Sequence, residues 1–174
     1  RRFTDVQEAF SSLTDKVQEV FTGIRNVTFR YEGSPVNALE DISIDIYPGK
    51  TLAIVGGTGS GKSTIVNLLL RLFDIKQGKI LIDGYPIDEI PIELLRKNIG
   101  YVPQDVFLFS TTIRENISFG VENVTIEQIE RAAKIAQVYD NIIDFPQGFE
   151  TMVGERGVTL SGGQKQRISI ARAI

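Results

Sequence analysis

Thr51-Leu52-Ala53-Ile54-Val55 runs directly into Gly56-Gly57-Thr58-Gly59-Ser60-Gly61-Lys62-Ser63-Thr64, and the reading of this junction decides the fold. The second half fits GxxxxGKS, in which a glycine-rich turn between a strand and a helix lets successive backbone N–H groups face an anion. Small residues ahead of Lys62 permit such a turn without side-chain clash. In this pattern Lys62 reaches the β- and γ-phosphates of a nucleotide, Ser63 holds Mg²⁺ through its hydroxyl, and the helix beginning at Gly61 points its positive end at the phosphates. Thr51 to Val55 reads as a buried strand. Ile65-Val66-Asn67-Leu68-Leu69-Leu70-Arg71-Leu72-Phe73 is apolar on most of its circumference, which predicts a central, buried helix.

Outward toward the N-terminus the period is two. Ile24, Val27, Phe29 and Tyr31 stand among polar residues, Gly33-Ser34-Pro35 turns the chain, and Ile42, Ile44 and Ile46 alternate before Pro48-Gly49. These are two strands of a half-exposed antiparallel sheet. Residues 1 to 22 differ, with Phe3, Val6, Phe10, Leu13, Val17 and Val20 recurring at intervals of three and four. That spacing predicts an amphipathic helix, either a linker lying on its own domain or the tail of a preceding one.

Toward the C-terminus, Lys79-Ile80-Leu81-Ile82 predicts a strand ending in the turn Asp83-Gly84. Ile99-Gly100-Tyr101-Val102-Pro103-Gln104 reads as a short strand with a glutamine at its exit. Thr112 to Ser118 and Thr125 to Val138 read as helices, the second opened by a capping box of Thr125 with Gln128. The stretch from about 105 to 160 is thus mostly helical and forms its own lobe. Leu160-Ser161-Gly162-Gly163-Gln164 then opens a helix in which the chain ends. Ser161 is its N-cap, and the two glycines leave N–H groups open, a second anion site.

Composition excludes several classes. With 174 residues and 42% apolar content the chain can bury a core. A net charge of -3 with mixed signs carries no basic footprint for nucleic acid, so phosphate binding has to be local. Without cysteine or histidine, disulfide, thiolate and imidazole chemistry are absent from this stretch. No apolar run approaches the ~18 residues of a membrane span.

Together these residues resemble the nucleotide-binding domain of ATP-binding cassette (ABC) transporters of the exporter type, over about residues 21 to 174. Gly56 to Thr64 resembles its Walker A loop and Gln104, in Val102-Pro103-Gln104, its Q-loop glutamine. Leu160, Ser161, Gly162, Gly163 and Gln164 match its signature in full. Tyr31 matches the aromatic that stacks on adenine, and Ala38 stands where the family often has an apolar residue near that ring. Thr151-Met152-Val153-Gly154-Glu155-Arg156-Gly157 resembles the exporters' cross-talk loop, and Thr112-Ile113-Arg114-Glu115-Asn116-Ile117 their stretch after the Q-loop. Gly57 departs from the family, which more often carries proline or another residue there, and loosens the loop without changing its chemistry.

The resemblance implies an α/β fold: a P-loop NTPase core with an antiparallel β subdomain and an α-helical subdomain. The division it implies is a linker helix at 1–22 from a preceding membrane domain, a nucleotide-binding core at 23–104, the helical subdomain at 105–160, and the signature helix at 161–174. It implies ATP and Mg²⁺ as cofactors, with Ser63 and the carbonyl of Gln104 on the metal. Two such domains, identical or different, pair head to tail, so that residues 160–164 of one meet the nucleotide held by residues 56–64 of the other. Further expected partners are the coupling helices of a transmembrane domain, at the cytoplasmic face of a membrane, and no nucleic acid. A Walker B aspartate and a catalytic glutamate are expected beyond Ile174 with the C-terminal part of the core, so no catalytic residue is assigned within the chain and turnover by it alone is not expected. Asp83 and Asp144 end apolar runs but precede turns, and are set aside as metal ligands. The alternatives are a non-transport ABC-type ATPase and an ATP-binding fragment without turnover.

Overall fold

The computed structural model describes residues 21–154 and 159–174; the amphipathic pattern of residues 1–20 and Glu155, Arg156 and Gly157 of the cross-talk stretch lie outside them. The chain forms two compact units divided between Asn98 and Ile99.

The first unit is built on a four-stranded antiparallel sheet. Its strands are β1 (Thr22–Phe29), β2 (Leu39–Ile46), β3 (Gln77–Ile82) and β4 (Tyr85–Pro86), in the order β2-β1-β3-β4. Alternation sets the register: Ile24 pairs with Ile44 on one side and Ile80 on the other, and Thr22 with Ile46 and Ile82. Ile24, Val27, Phe29 and Ile80 are buried while Ile42, Ile44 and Ile46 are half-buried; Ile24 and Val27, three apart, share the buried face because the ladder is irregular between them, where Asn26 turns to φ 48. Asp83 and Gly84 both take positive φ and close the β3–β4 hairpin, and the Asp83 carboxylate accepts the Phe21 amide at 2.8 Å. Its role is that of a turn residue.

Helix α1 (Lys62–Leu69) follows the glycine-rich loop, and α2 (Ile92–Lys97) comes after the hairpin. The expected helix through Phe73 stops four residues early. Arg71 turns to φ 47, the Leu72 amide donates back to Asn67 O at 2.9 Å and the Arg71 amide to Leu68 O at 3.0 Å. This is a Schellman ending with arginine where glycine is usual. Arg96 of α2 seals it by donating to the carbonyls of Leu70 and Arg71 at 3.1 Å each. Burial on α1 is confined to one side: Thr64, Ile65 and Leu68 are buried, whereas Leu72 and Phe73 beyond it are exposed.

Two expected strands are absent. Residues 51–55 and 99–104 have no ladder partner among the described residues, and Val55 is 93% exposed. The apolar run has the composition of a buried strand, but burial requires neighbours on both edges and a covered face.

The second unit is helical: α3 (Ile113–Ile117), α4 (Ile126–Ile135), α5 (Tyr139–Ile143), a 3₁₀ turn (Gly148–Glu150) and α6 (Gly162–Ala173). α3 and α4 pack on α6 around a core that includes Ile113, Ile117, Ile129, Ala133, Ile142 and Ile168. The expected capping box of α4 is present, with the Thr125 amide donating to Gln128 Oε1 at 2.8 Å and Thr125 Oγ1 accepting the Gln128 amide. Gln137, at φ 56, ends that helix short of Val138, whose amide donates back to Ala133 O at 2.9 Å. Asp144 sits at the C-cap of α5.

Candidate functional site

In the first unit the glycine-rich loop lies against the entry of β2. Gly61, the N-cap of α1, holds φ 84, and a Cβ there would strike the Ala38 carbonyl oxygen and come within 2.7 Å of Leu39 Cδ2. Only glycine permits this approach. Ala38 is itself held by its amide donating to Phe29 O at 2.8 Å. A cavity of about 350 Å³ opens between the Tyr31 and Ala38 segment and residues 59–64. Tyr31, Ala38, Gly59, Ser60, Gly61, Lys62, Ser63 and Thr64 all line it; Gly56, Gly57 and Thr58 form the stretch of loop beyond its wall.

Lys62 folds back over that stretch. Its Nζ donates to Gly56 O at 2.8 Å and Gly57 O at 2.7 Å, and lies 3.4 Å from Ser60 Oγ. The ammonium thus braces the backbone of the loop it belongs to. Tyr31 meets Phe29 and Phe73 edge-to-face, with ring centroids 4.9 and 5.1 Å apart, and its hydroxyl lies 3.0 Å from Thr64 Oγ1. Ser63 is exposed in the first turn of α1, its hydroxyl without a partner among the described residues. Those residues hold no group of three or more carboxylates placed to bind a metal. An exposed hydroxyl such as that of Ser63 is a donor type that a hard cation accepts alongside phosphate oxygens.

In the second unit Leu160 is buried and Ser161 caps α6. Its Oγ accepts the Gln164 amide at 3.2 Å, while Gln164 Oε1 accepts the Ser161 amide at 2.8 Å. Gly162 and Gly163 are exposed, and their amides, first in the helix, have no intrahelical acceptor. Gln104, in a bend of the same unit, is exposed.

Electrostatics separates these two helix starts from the others. Of the described helices, α1 and α6 alone carry no acidic residue in the first turn; α2 to α5 carry Glu93, Glu115, Glu127 and Asp140 there. The Glu127 carboxyl is held below the usual glutamate range, first by the Thr125 hydroxyl and then by its own amide. Where the fold wants a neutralised helix start it supplies its own carboxylate. At residues 61–64 and 161–164 it supplies none.

One cluster escaped the reading of the sequence. Asn116 is fully buried on α3; its Oδ1 accepts the Phe109 amide at 2.8 Å and Arg172 Nη2 at 2.9 Å, while its Nδ2 donates to Phe109 O and Thr112 O at 3.0 Å each. Arg172, near the end of α6, also donates to Asn116 O at 2.7 Å and Phe107 O at 3.1 Å. Burial lowers the Arg172 guanidinium from its ordinary pKa. The far end of the signature helix is thereby tied to the segment that follows Gln104. An asparagine set between Ile113 and Ile117 on an apolar face was the available signal.

Comparison with known proteins shows the family. The ABC transporter family model matches residues 39–174, and the chain belongs to that family. It is 52% identical over 150 residues to an uncharacterized ABC transporter ATP-binding protein, YfiB, of Bacillus subtilis (strain 168), covering 86% of this chain and 26% of that protein. It is 50% identical over 161 residues to YgaD of the same strain, whose name proposes a multidrug export ATP-binding/permease protein, covering 91% and 28%. A bacterial Atm1-family ABC exporter solved with ATP bound superposes with a TM-score of 0.84 at 43% identity, over 91% of this chain and 28% of that one. The chain spans about a quarter of the length of these relatives. Among the described residues no helix is long and apolar enough to cross a membrane.

Proposed function

We propose that this chain is the ATP-binding part of an ABC exporter, and that in the full-length protein ATP-driven pairing of two such domains, followed by hydrolysis, powers transport. The observation that carries the reading is the single cavity that joins Tyr31 and Ala38 to Gly59 through Thr64. Its lining combines an aromatic ring with an uncapped helix start, the two chemistries that the base and the phosphates of a nucleotide call for.

Residues 56–64 take the triphosphate, with Lys62 on the β- and γ-phosphates and Thr64 beside them. Adenine stacks on Tyr31, with Ala38 beside it. Ser63 and Gln104 hold Mg²⁺, which when bound neutralises charge on the phosphate oxygens. Leu160, Ser161, Gly162, Gly163 and Gln164 complete the site of a second nucleotide-binding domain, since one nucleotide does not fill two helix starts on separate units, whereas a symmetric pair uses each twice. The Q-loop region receives the coupling helices of a transmembrane domain at the cytoplasmic face of the membrane, residues 1–22 link to that domain, and residues 105–160 form the helical subdomain.

Replacement of Lys62 by alanine tests the reading. Loss of its charge-assisted contacts is expected to weaken ATP binding to the full-length protein by about 100-fold or more, read by titration calorimetry. Unchanged affinity overturns it.

A further inference from the structure

We infer that the hydroxyl of Tyr31 is a positioning group: bonded to Thr64, it fixes the base-facing ring relative to the phosphate-binding turn before a nucleotide arrives. The inference rests on the reading of Tyr31 as the adenine platform. Stacking alone asks only for an aromatic face, which phenylalanine supplies equally well. The hydroxyl here has a partner of its own, Thr64 Oγ1 at 3.0 Å.

Three features make that bond a positioning device. Tyr31 lies two residues past the end of β1, outside its ladder, with its carbonyl accepting the Ser34 amide at 3.1 Å; the edge-to-face contacts with Phe29 and Phe73 hold the ring, and of these contacts the hydroxyl's bond is the one that reaches the loop-borne helix. Thr64 is only 4% exposed and belongs to α1, two residues after Lys62, so its hydroxyl is carried by a rigid element. Both residues line the same cavity, the one read as taking the nucleoside triphosphate. A ring already set at the correct separation loses no rotamer freedom when the base stacks on it; a free one does, which weakens binding by about three- to tenfold.

The test compares ATP with inorganic tripolyphosphate, which has no base, as ligands of the full-length protein. Tyr31→Phe is expected to weaken ATP by about three- to tenfold and leave tripolyphosphate unchanged. Thr64→Val is expected to lower the ratio of ATP to tripolyphosphate affinity by the same factor, Thr64→Ser to preserve it, and the Tyr31→Phe/Thr64→Val double variant to lower it no further than either single change. Additive effects, an unchanged ATP affinity in Tyr31→Phe, or an equal loss for both ligands overturns the inference. If Tyr31→Phe does not fold, equal ratios in Thr64→Ser and Thr64→Val overturn it. Failure of the nucleotide-site reading is seen separately, as ATP binding retained in Lys62→Ala.

Discussion

The helices α1 and α6 both start at glycine-rich turns without an acidic first turn, yet they are finished in opposite ways. α1 begins at Gly61 in a left-handed conformation with no side chain capping it, and Lys62 is turned back onto its own loop. α6 begins at Ser161 in extended conformation with a closed capping box. The same box opens α3 and α4, which are structural helices, so the box itself belongs to the fold. What distinguishes α6 is the pair Gly162-Gly163 where α3 has Ile113-Arg114 and α4 has Ile126-Glu127. The start of α1 has neither a capping side chain nor a first-turn carboxylate, which leaves its amides open to an anion. α6 is a finished helix whose first two amides have been stripped of side chains.

Removing the anchor at the far end of α6 should have the largest effect. Asn116→Ala removes the acceptor shared by Arg172 Nη2 and the Phe109 amide, while Arg172 keeps the carbonyls of Asn116 and Phe107, and is expected to destabilise the protein by about 3–5 kcal/mol in denaturant unfolding. If α6 owes its position to its capping box alone, the loss will be below about 1 kcal/mol. Next comes Gly61→Ala at the start of α1. The left-handed backbone costs about 1–2 kcal/mol and the clash with Ala38 about 1–3 more, so stability falls by about 2–5 kcal/mol. ATP affinity should fall with it, because the same clash pushes the Ala38 and Tyr31 wall off the loop. A variant that keeps both its stability and its affinity would show that this wall is not clamped at Gly61.

The sequence made the positions of both starts legible and their surroundings less so. GxxxxGKS and an N-cap serine before two glycines are local patterns, and local patterns specify backbone conformation and hydrogen bonds across a few residues. The Thr125/Gln128 box was legible for the same reason. The apolar runs 51–55 and 99–104 declare a preference for a sheet, but the existence of a ladder depends on strands elsewhere in the chain, which no local pattern encodes. Helix ends were misjudged because Arg71 and Gln137 adopt the left-handed conformation usually marked by glycine. The Tyr31–Thr64 bond joins residues 33 apart, and the Asn116–Arg172 bonds join residues 56 apart. Neither separation leaves a periodic trace.

The smallest expected change in stability is the most informative about α6. A Cβ at Gly162 meets nothing within 4 Å, whereas at Gly61 it meets backbone, so the same substitution is opposed at one helix start and free at the other. Gly162→Ala therefore raises stability by up to about 1 kcal/mol, because alanine loses less conformational freedom in a helix than glycine. If the glycine were there for the fold, this would be a puzzling residue to keep. If it is there so that a phosphate can reach the amides of residues 162 and 163, the added methyl stands in the way of the approaching nucleotide. ATP-dependent pairing of the full-length protein, followed by light scattering, should then weaken while the melting temperature holds or rises. A variant that is more stable and pairs normally would make α6 a capped helix like α3 and α4, and would leave the start of α1 as the anion site in this chain.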